Sequence, residues 1–491
     1  MELNYSLRFK NYMRVAVIST FFIFMSGGYA NAATLYMGSN EKYTNLQAAL
    51  SAMKAGDTLI IRDGTYTGPS NALTTSNPSP TSSTLWTTIK AENPGSVIFD
   101  GDVARTLIHI EPSSSLNLHW VFDGIVFQNA SDRCIILARI NYVKFLRCGF
   151  VGLSSSSDAF YTHTCNYILV EDCYSYGSAR YHFHYYNTNY SVMRRCIARH
   201  DRGTHVYQIG FQVYDSENVE VQNCIVIDSD QVDFYNGASQ LYAFKVPQVS
   251  GGNINFRGCI ALNNAMGFSG IQAGSASFDN CVGWDLSGYG VYSRSSHTVA
   301  MNHMTLGNIT MYGTTGDGAV KTISNSIIYN NIPAGLQNSG GTTTSDYNIL
   351  YNNTNYSGVS AGAHDTQLTT TPSLKYLTTG LENGPDGTKV GAIILFKIGK
   401  TGTLWGEAGY NTPSKTESLW PFPYEDIIRD KMRTYTSGGV NGARGFCADG
   451  QTLTKYIWEY LGNTIPDEVY HGGLSDSTSP SAPSGVTAIV Q

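Results

Sequence analysis

Between Gly124 and Asn348 the chain repeats one short pattern of apolar, any, apolar, any, polar, small. It is seen in Val219-Glu-Val-Gln-Asn-Cys224, Ile254-Asn-Phe-Arg-Gly-Cys259 and Ala276-Ser-Phe-Asp-Asn-Cys281. Alternation of this kind marks strands with one buried face. With Gly124, Cys148, Cys173, Cys196, Cys224, Cys259, Cys281, Met304, Ser326 and Asn348 in one register, the spacings are 24, 25, 23, 28, 35, 22, 23, 22 and 22 residues. A basal period near 22, Gly and Asn at the bends and almost no helical pattern predict coils stacked along one axis. The expected fold is all-β, a right-handed parallel β-helix of about ten coils spanning residues 33–375. Coils about 4.8 Å apart turn equivalent positions into ladders. The cysteines then form an internal ladder and are expected as free, packed thiols, because that spacing does not suit a disulfide. Without a Cys-x-x-Cys pair, a zinc site has no support.

The ends follow other patterns. Tyr43 to Met53 has helical periodicity, and an amphipathic helix is what the open end of a solenoid needs as a cap. Ahead of it, Lys10 and Arg14 precede the apolar run Val15 to Met25, and Ala30-Asn31-Ala32 supplies a small-x-small cleavage pattern. Residues 1–32 therefore read as a secretory signal peptide, too short in its apolar part to span a bilayer, so no transmembrane segment is expected after cleavage. The expected location is extracellular or at the cell surface. Past residue 375 the register is lost. Residues 376–474 form a short C-terminal extension in which Ser418 to Met432 and Thr452 to Leu461 have helical character, suited to capping or flanking the far end. Residues 475–491 combine a Ser/Pro linker with the start of what resembles a further module, as in a longer multidomain surface protein.

Within each unit Phe160, Phe183, Phe211, Phe268 and Val291 lie 13 residues before their ladder position, and Phe244 lies 15 before. If these point inward, residues one and three further on point into solvent. The first outward row is Tyr161, His184, Gln212, Lys245, Ser269, Tyr292, and the second is His163, Tyr186, Tyr214, Pro247, Ile271, Arg294. Stacked at coil spacing, these side chains suit a polymer whose sugars repeat at comparable intervals. Tyr161, His163, Gln212, Tyr214, Tyr292 and Arg294 are the expected sugar-binding residues.

Composition narrows the ligand. Only 14% of the 491 residues are charged and the net charge is −6, while tyrosines number 33 against 31 Lys plus Arg. Such a surface gives no electrostatic grip on nucleic acid. The two longest units place extra residues around His200-Asp-Arg-Gly-Thr-His205 and Ser229-Asp-Gln-Val-Asp-Phe-Tyr235, beside Lys245, and insertions in a solenoid map to its binding face. Lys245 becomes a base only if burial lowers its pKa.

Three stretches carry a resemblance: Asn223-Cys-Ile-Val-Ile-Asp228, Tyr242-Ala-Phe-Lys-Val-Pro247 and Gly252 to Phe268. They resemble polysaccharide lyase family nine, the pectate lyase type of the pectin-lyase-like β-helix proteins. Gly56-Asp-Thr-Leu-Ile-Ile-Arg-Asp-Gly-Thr-Tyr66 is similar to the opening of that family and of alginate and chondroitin lyases of the same fold. The resemblance covers residues 34–360 and implies β-elimination on a uronic-acid polysaccharide, with a lysine as base and calcium held by aspartates. Two positions depart from it. Pro247 occupies the family's lysine position, with Lys245 two residues earlier, and Ala265-Met-Gly-Phe-Ser269 replaces the family's aspartates, so no metal ligands or cofactor are assigned. Asp230 and Asp233 in the long loop leave calcium possible in another geometry, although two acids in a loop more often face water. A carboxylate pair for hydrolysis is missing from both rows. Two activities stay open: elimination with Lys245, His184 or Tyr186 as base, and adhesive, non-catalytic binding of extracellular polysaccharide along the same strip.

Overall fold

The computed structural model describes residues 32–152, 156–201, 207–229, 240–249, 251–270, 273–369, 381–382 and 387–462. Residues 1–31, which hold nearly all of the expected signal peptide, most of both loop insertions with Asp230 and Asp233, Ile271, and residues 475–491 lie outside the described residues.

Each circuit of chain lays down three extended stretches, and each pairs in parallel with its counterpart one circuit later. Three columns result. The first begins with Thr34–Met37 and Thr58–Ile61 and reaches Gly341–Asp346. The second runs from Leu73–Thr75 through Ile108–Ile110, Ile135–Ala138, Tyr181–Asn189, Tyr207–Tyr214 and Gln240–Val246 to Tyr356–Ser357. Strand Phe160–Glu171 runs straight through the bend between these columns, which therefore merge into one 24-stranded sheet. The third column, from Gly64–Tyr66 to Thr366–Gln367, has 13 strands, extending the ten ladder positions of residues 124–348 at both ends.

The ladder has a mechanical reason. Arg147, Asp172, Arg195, Asn223, Asn280, His303, Asn325 and Tyr347 each immediately precede a ladder residue, and each has φ between 50° and 58°. One left-handed residue per circuit turns the chain from the first column to the third, a conformation that Asn tolerates best. The ladder side chain behind it brackets the corner. Its sulfur or oxygen accepts from the backbone N–H of the ladder residue one coil earlier: Cys148 to Cys173 Sγ at 3.3 Å, Met304 to Ser326 Oγ at 3.0 Å, Ser326 to Asn348 Oδ1 at 2.9 Å. Thiol or hydroxyl also donates to the carbonyl two residues back, as in Cys196 Sγ to Arg194 O at 3.2 Å and Ser326 Oγ to Ser324 O at 2.7 Å. Small residues that can accept here are thus interchangeable. All nine cysteines are free and buried, the six on the ladder as its spacing predicts.

Inside the second column Phe183, Phe211, Phe244 and Phe268 stack at centroid distances of 4.8, 5.3 and 5.0 Å. These rings point inward as expected. At the N-terminal end helix Leu46–Ala52 is capped by Asn45, whose side chain accepts from Ala48 N at 3.0 Å, and it buries Leu46, Ala49 and Leu50 against the first coils.

The third column corrects the expectation of one buried face per strand. Val226 and Ala261 face inward, while Ile197, Ile225, Ile227, Ile260, Leu262, Val282 and Trp284 face outward and are buried too. Residues 387–462 cover them, so this segment lies along the flank of the solenoid, with Trp420, Phe422, Met432, Phe446, Ile457 and Trp458 in the shared core. Polar pins fix it. Asn223 Oδ1 accepts from Ile398 N at 2.7 Å, and Arg199 donates to Met432 O at 2.8 Å, where helix Glu425–Arg433 presents its carbonyl end. Asp228 accepts from Phe446 N at 3.1 Å and Tyr456 Oη at 2.8 Å. Gly445, with φ of 57°, is needed there because a Cβ would meet Asp228 Oδ2 at 1.8 Å.

Candidate functional site

The outer surface of the second column carries the expected rows in register. Tyr161, His184, Gln212, Lys245, Ser269 and Tyr292 pair in succession, one per coil. Beside them run His163, Tyr186 and Tyr214. On the other side, three residues earlier along each strand, lie Tyr181, Ile209, Tyr242 and Met266, an apolar cluster completed by Tyr289 and Tyr292. Tyr181 against His184 and Tyr242 against Lys245 on one side, and Tyr186 against His184 on the other, make the central row the floor of a strip between these two borders.

That border overturns the expectation that the first row points into open solvent. His184, Gln212, Lys245 and Ser269 are only 5, 4, 7 and 0% exposed. Tyr161, Tyr292, His163, Tyr186 and Tyr214 are half-buried, and Arg294 is exposed, facing Asp317 at 3.8 Å. Pro247 ends the pairing of its strand and Ile271 lies outside the described residues, so the second row is not continuous as far as Arg294. Tyr186 and Tyr214 stack on each other at 5.2 Å and 17°. One face of each ring is thus engaged by the other.

Burial sets the chemistry of the floor. It lowers the Lys245 ammonium to about 8, with Nζ held 4.7 Å from the centre of the Tyr242 ring. Burial also lowers His184, outweighing the pull of Asp158, so His184 is neutral at physiological pH. Burial raises Tyr161 and lowers His163, the latter opposed by Glu111 at 3.9 Å.

Sequence reasoning missed the acid at one end of this floor. Asp158, 1% exposed, faces His184 Nδ1 at 3.0 Å and accepts from Arg180 Nε and Nη2 at 2.8 and 3.0 Å. Its burial is offset by His184 and Arg180, which together hold the carboxyl below its ordinary range. Arg133 lies 3.6 Å from the same carboxylate, 4.9 Å over the Tyr161 ring, and pairs with Asp132 at 2.9 Å. The other side of His184 continues the chain, Nε2 facing Gln212 Nε2 at 3.0 Å. Asp158 and Arg180 stand two and three residues before Phe160 and Phe183, so aligning the bends as well as the strands would have placed them at one corner of adjacent coils.

At the positions where the family resemblance places calcium-binding aspartates, this chain has Ala265-Met-Gly-Phe-Ser269. Where ligands would be needed, Ala265 and Met266 are buried, Phe268 stacks inward on Phe244, and Ser269 offers one hydroxyl. Among the described residues no three His, Cys, Asp or Glu side chains are grouped to hold a metal ion. No described helix is long and apolar enough to cross a membrane.

Residues 106–282 match the right-handed β-helix region family, and the fold is that of a right-handed parallel β-helix protein. Solved structures to which this chain is similar include an alginate lyase from Paenibacillus sp. str. FPU-7. It is 14% identical, covers 64% of this chain and 99% of its own, and has a TM-score of 0.41. The A-module of the Azotobacter vinelandii mannuronan C-5 epimerase AlgE6 is 13% identical over 67% of this chain and 94% of its own, with a TM-score of 0.39. Pectate lyase Pel9A is 14% identical over 79% and 90%, with a TM-score of 0.36. Curated protein sequences give no match.

Proposed function

We propose that this is a secreted, carbohydrate-active β-helix protein of the polysaccharide-lyase type, cleaving an acidic, uronic-acid polysaccharide by β-elimination with Lys245 as the base. The observation that carries this reading is the burial of Lys245 in the floor of the strip. An ordinary lysine is almost wholly protonated at pH 8, whereas one titrating at about 8 is half free amine there. The amine takes the proton at C5, the C–H electrons form the C4–C5 double bond, and the C4–O bond to the next sugar breaks. The ammonium just formed is the proton source for the departing oxygen. C5 is acidic only when the neighbouring carboxylate is screened. At one end of the floor Arg133 and Arg180 supply two guanidinium groups, paired with Asp132 and Asp158.

His184 is the poorer base, because both its ring nitrogens are engaged. The neighbouring tyrosines and His163 would line the bound chain. Incubation with pectate, alginate and glycosaminoglycans, followed by ultraviolet absorbance of the 4,5-unsaturated end, tests the reading. Product that vanishes in Lys245→Met supports it. No product, with binding that Tyr186→Ala or Tyr214→Ala weakens, replaces it by the adhesive reading.

A further inference from the structure

We propose that Asp158 is a positioning residue of this strip: through His184 it fixes which end of the Gln212 amide is offered to the ligand beside Lys245. The inference rests on the carbohydrate reading only for what the ligand is; the relay itself is a matter of donors and acceptors.

An ionised carboxylate can only accept hydrogen bonds. Asp158 is held ionised by Arg180, so the ring nitrogen facing it at 3.0 Å, His184 Nδ1, must carry a proton. His184 is neutral, therefore Nε2 has a lone pair and must accept. Its partner at 3.0 Å is then the Gln212 amide nitrogen, an N–H donor. The amide carbonyl is consequently the end left over, and Gln212 stands one coil from Lys245 in direct register. With the opposite tautomer, Nε2–H would call the carbonyl toward itself and leave the NH₂ group for the ligand. Asp158 thus decides whether the row presents an acceptor or a donor next to Lys245. An acceptor fits a sugar hydroxyl and repels a carboxylate, so the sugar at this subsite is met at a hydroxyl, its carboxylate lying elsewhere. The charged and titratable groups facing His184 are Asp158, Arg180, Arg133, Tyr161, Tyr181 and Tyr186, and of these Asp158 is the one that bonds the ring.

Nitrogen-15 NMR of the histidine rings reads the tautomer without any substrate. The wild-type protein should show His184 as the Nδ1–H form at neutral pH. An Nε2–H tautomer or an imidazolium at pH 7 overturns the relay. In Asp158→Asn the amide NH₂ donates to Nδ1 and the proton should move to Nε2. In Gln212→Glu the second carboxylate should draw a proton onto Nε2 and raise the pKa of His184, a change that mere loss of packing would not produce. With a uronate polymer that is cleaved, Asp158→Asn should lower kcat/KM on the order of 10²-fold while the apparent pKa of the Lys245 limb stays in place. Cleavage at an unchanged kcat/KM in this variant overturns the positioning role. If no polymer is cleaved while the tautomers behave as stated, the relay stands and the elimination reading falls.

Discussion

The second and third columns share one coil geometry and one strand alternation, yet their outer surfaces have opposite fates. On the third, outward Ile225, Ile227, Ile260 and Leu262 are apolar, and residues 387–462 fold back over them to form a second core. On the second, the outward residues at the same heights are His184, Gln212, Lys245 and Ser269, bordered by aromatic rings. Apolar area taken from water is worth roughly 25 cal/mol per Å², so an apolar outer face recruits chain to cover it. A polar outer face repays burial only where each group finds a partner, and Asp158, His184 and Gln212 do so by bonding one another. The third column therefore uses its outer face for stability, and the second spends stability to hold titratable groups out of water.

The strongest way to break that contrast is to empty the second core. Trp458→Ala removes a fully buried indole that meets Trp420 edge-on at 6.1 Å, and should cost about 3–5 kcal/mol in a denaturant titration. A loss well below about 1 kcal/mol would mean that residues 387–462 are dispensable to the coils.

On the polar face the expected sign is reversed. The unfolded state holds the Lys245 proton up to pH 10.5 and the folded state only to about 8. Between those values the unfolded chain binds more protons, so wild-type stability rises with pH, and below pH 8 the full penalty is present. Lys245→Met should thus be more stable than wild type by about 3 kcal/mol at pH 7, at about 1.36 kcal/mol per unit. The gain should shrink through pH 8 to 10.5 and vanish above. Thermal unfolding of both proteins across this window checks it, and equal stabilities at pH 7 would contradict the burial of this lysine. A kinetic counterpart follows: kcat/KM should climb about tenfold per pH unit below pH 8 and level off above it.

The smallest effect belongs to the half-buried border. Tyr214→Ala removes one ring of the Tyr186 pair and should weaken polysaccharide binding by about 0.5–1.5 kcal/mol, measured by calorimetry, with little change in the pH profile.

How much of this was legible in the chain varies with the distance over which each feature is decided. The inward phenylalanines, the rows in register with them and the free ladder cysteines follow from a period of two within strands and a fixed period between coils, both local. Helices Glu425–Arg433 and Leu453–Tyr460 were visible as periodic segments, but nothing local says that they lie against Ile225 and Trp284. Asp158 and Arg180 escaped because they sit at bends, where the alternation used to align the strands stops. The exposure of the first row was misjudged because alternation says only which residues leave the coil; what then borders them is set by Tyr181, Tyr242 and Met266 on three different coils.

The sequence by itself determined the solenoid, since strand alternation and a small ladder residue recur at a near-constant spacing along the chain. It also determined which side chains leave the core toward the outside. Only the tertiary structure decided what those side chains are chemically. The proton affinity of Lys245, the tautomer of His184 and the apolar second core all depend on neighbours from other coils or from the C-terminal segment, and desolvation is a property of the assembled surroundings, with no counterpart in the order of residues along the chain.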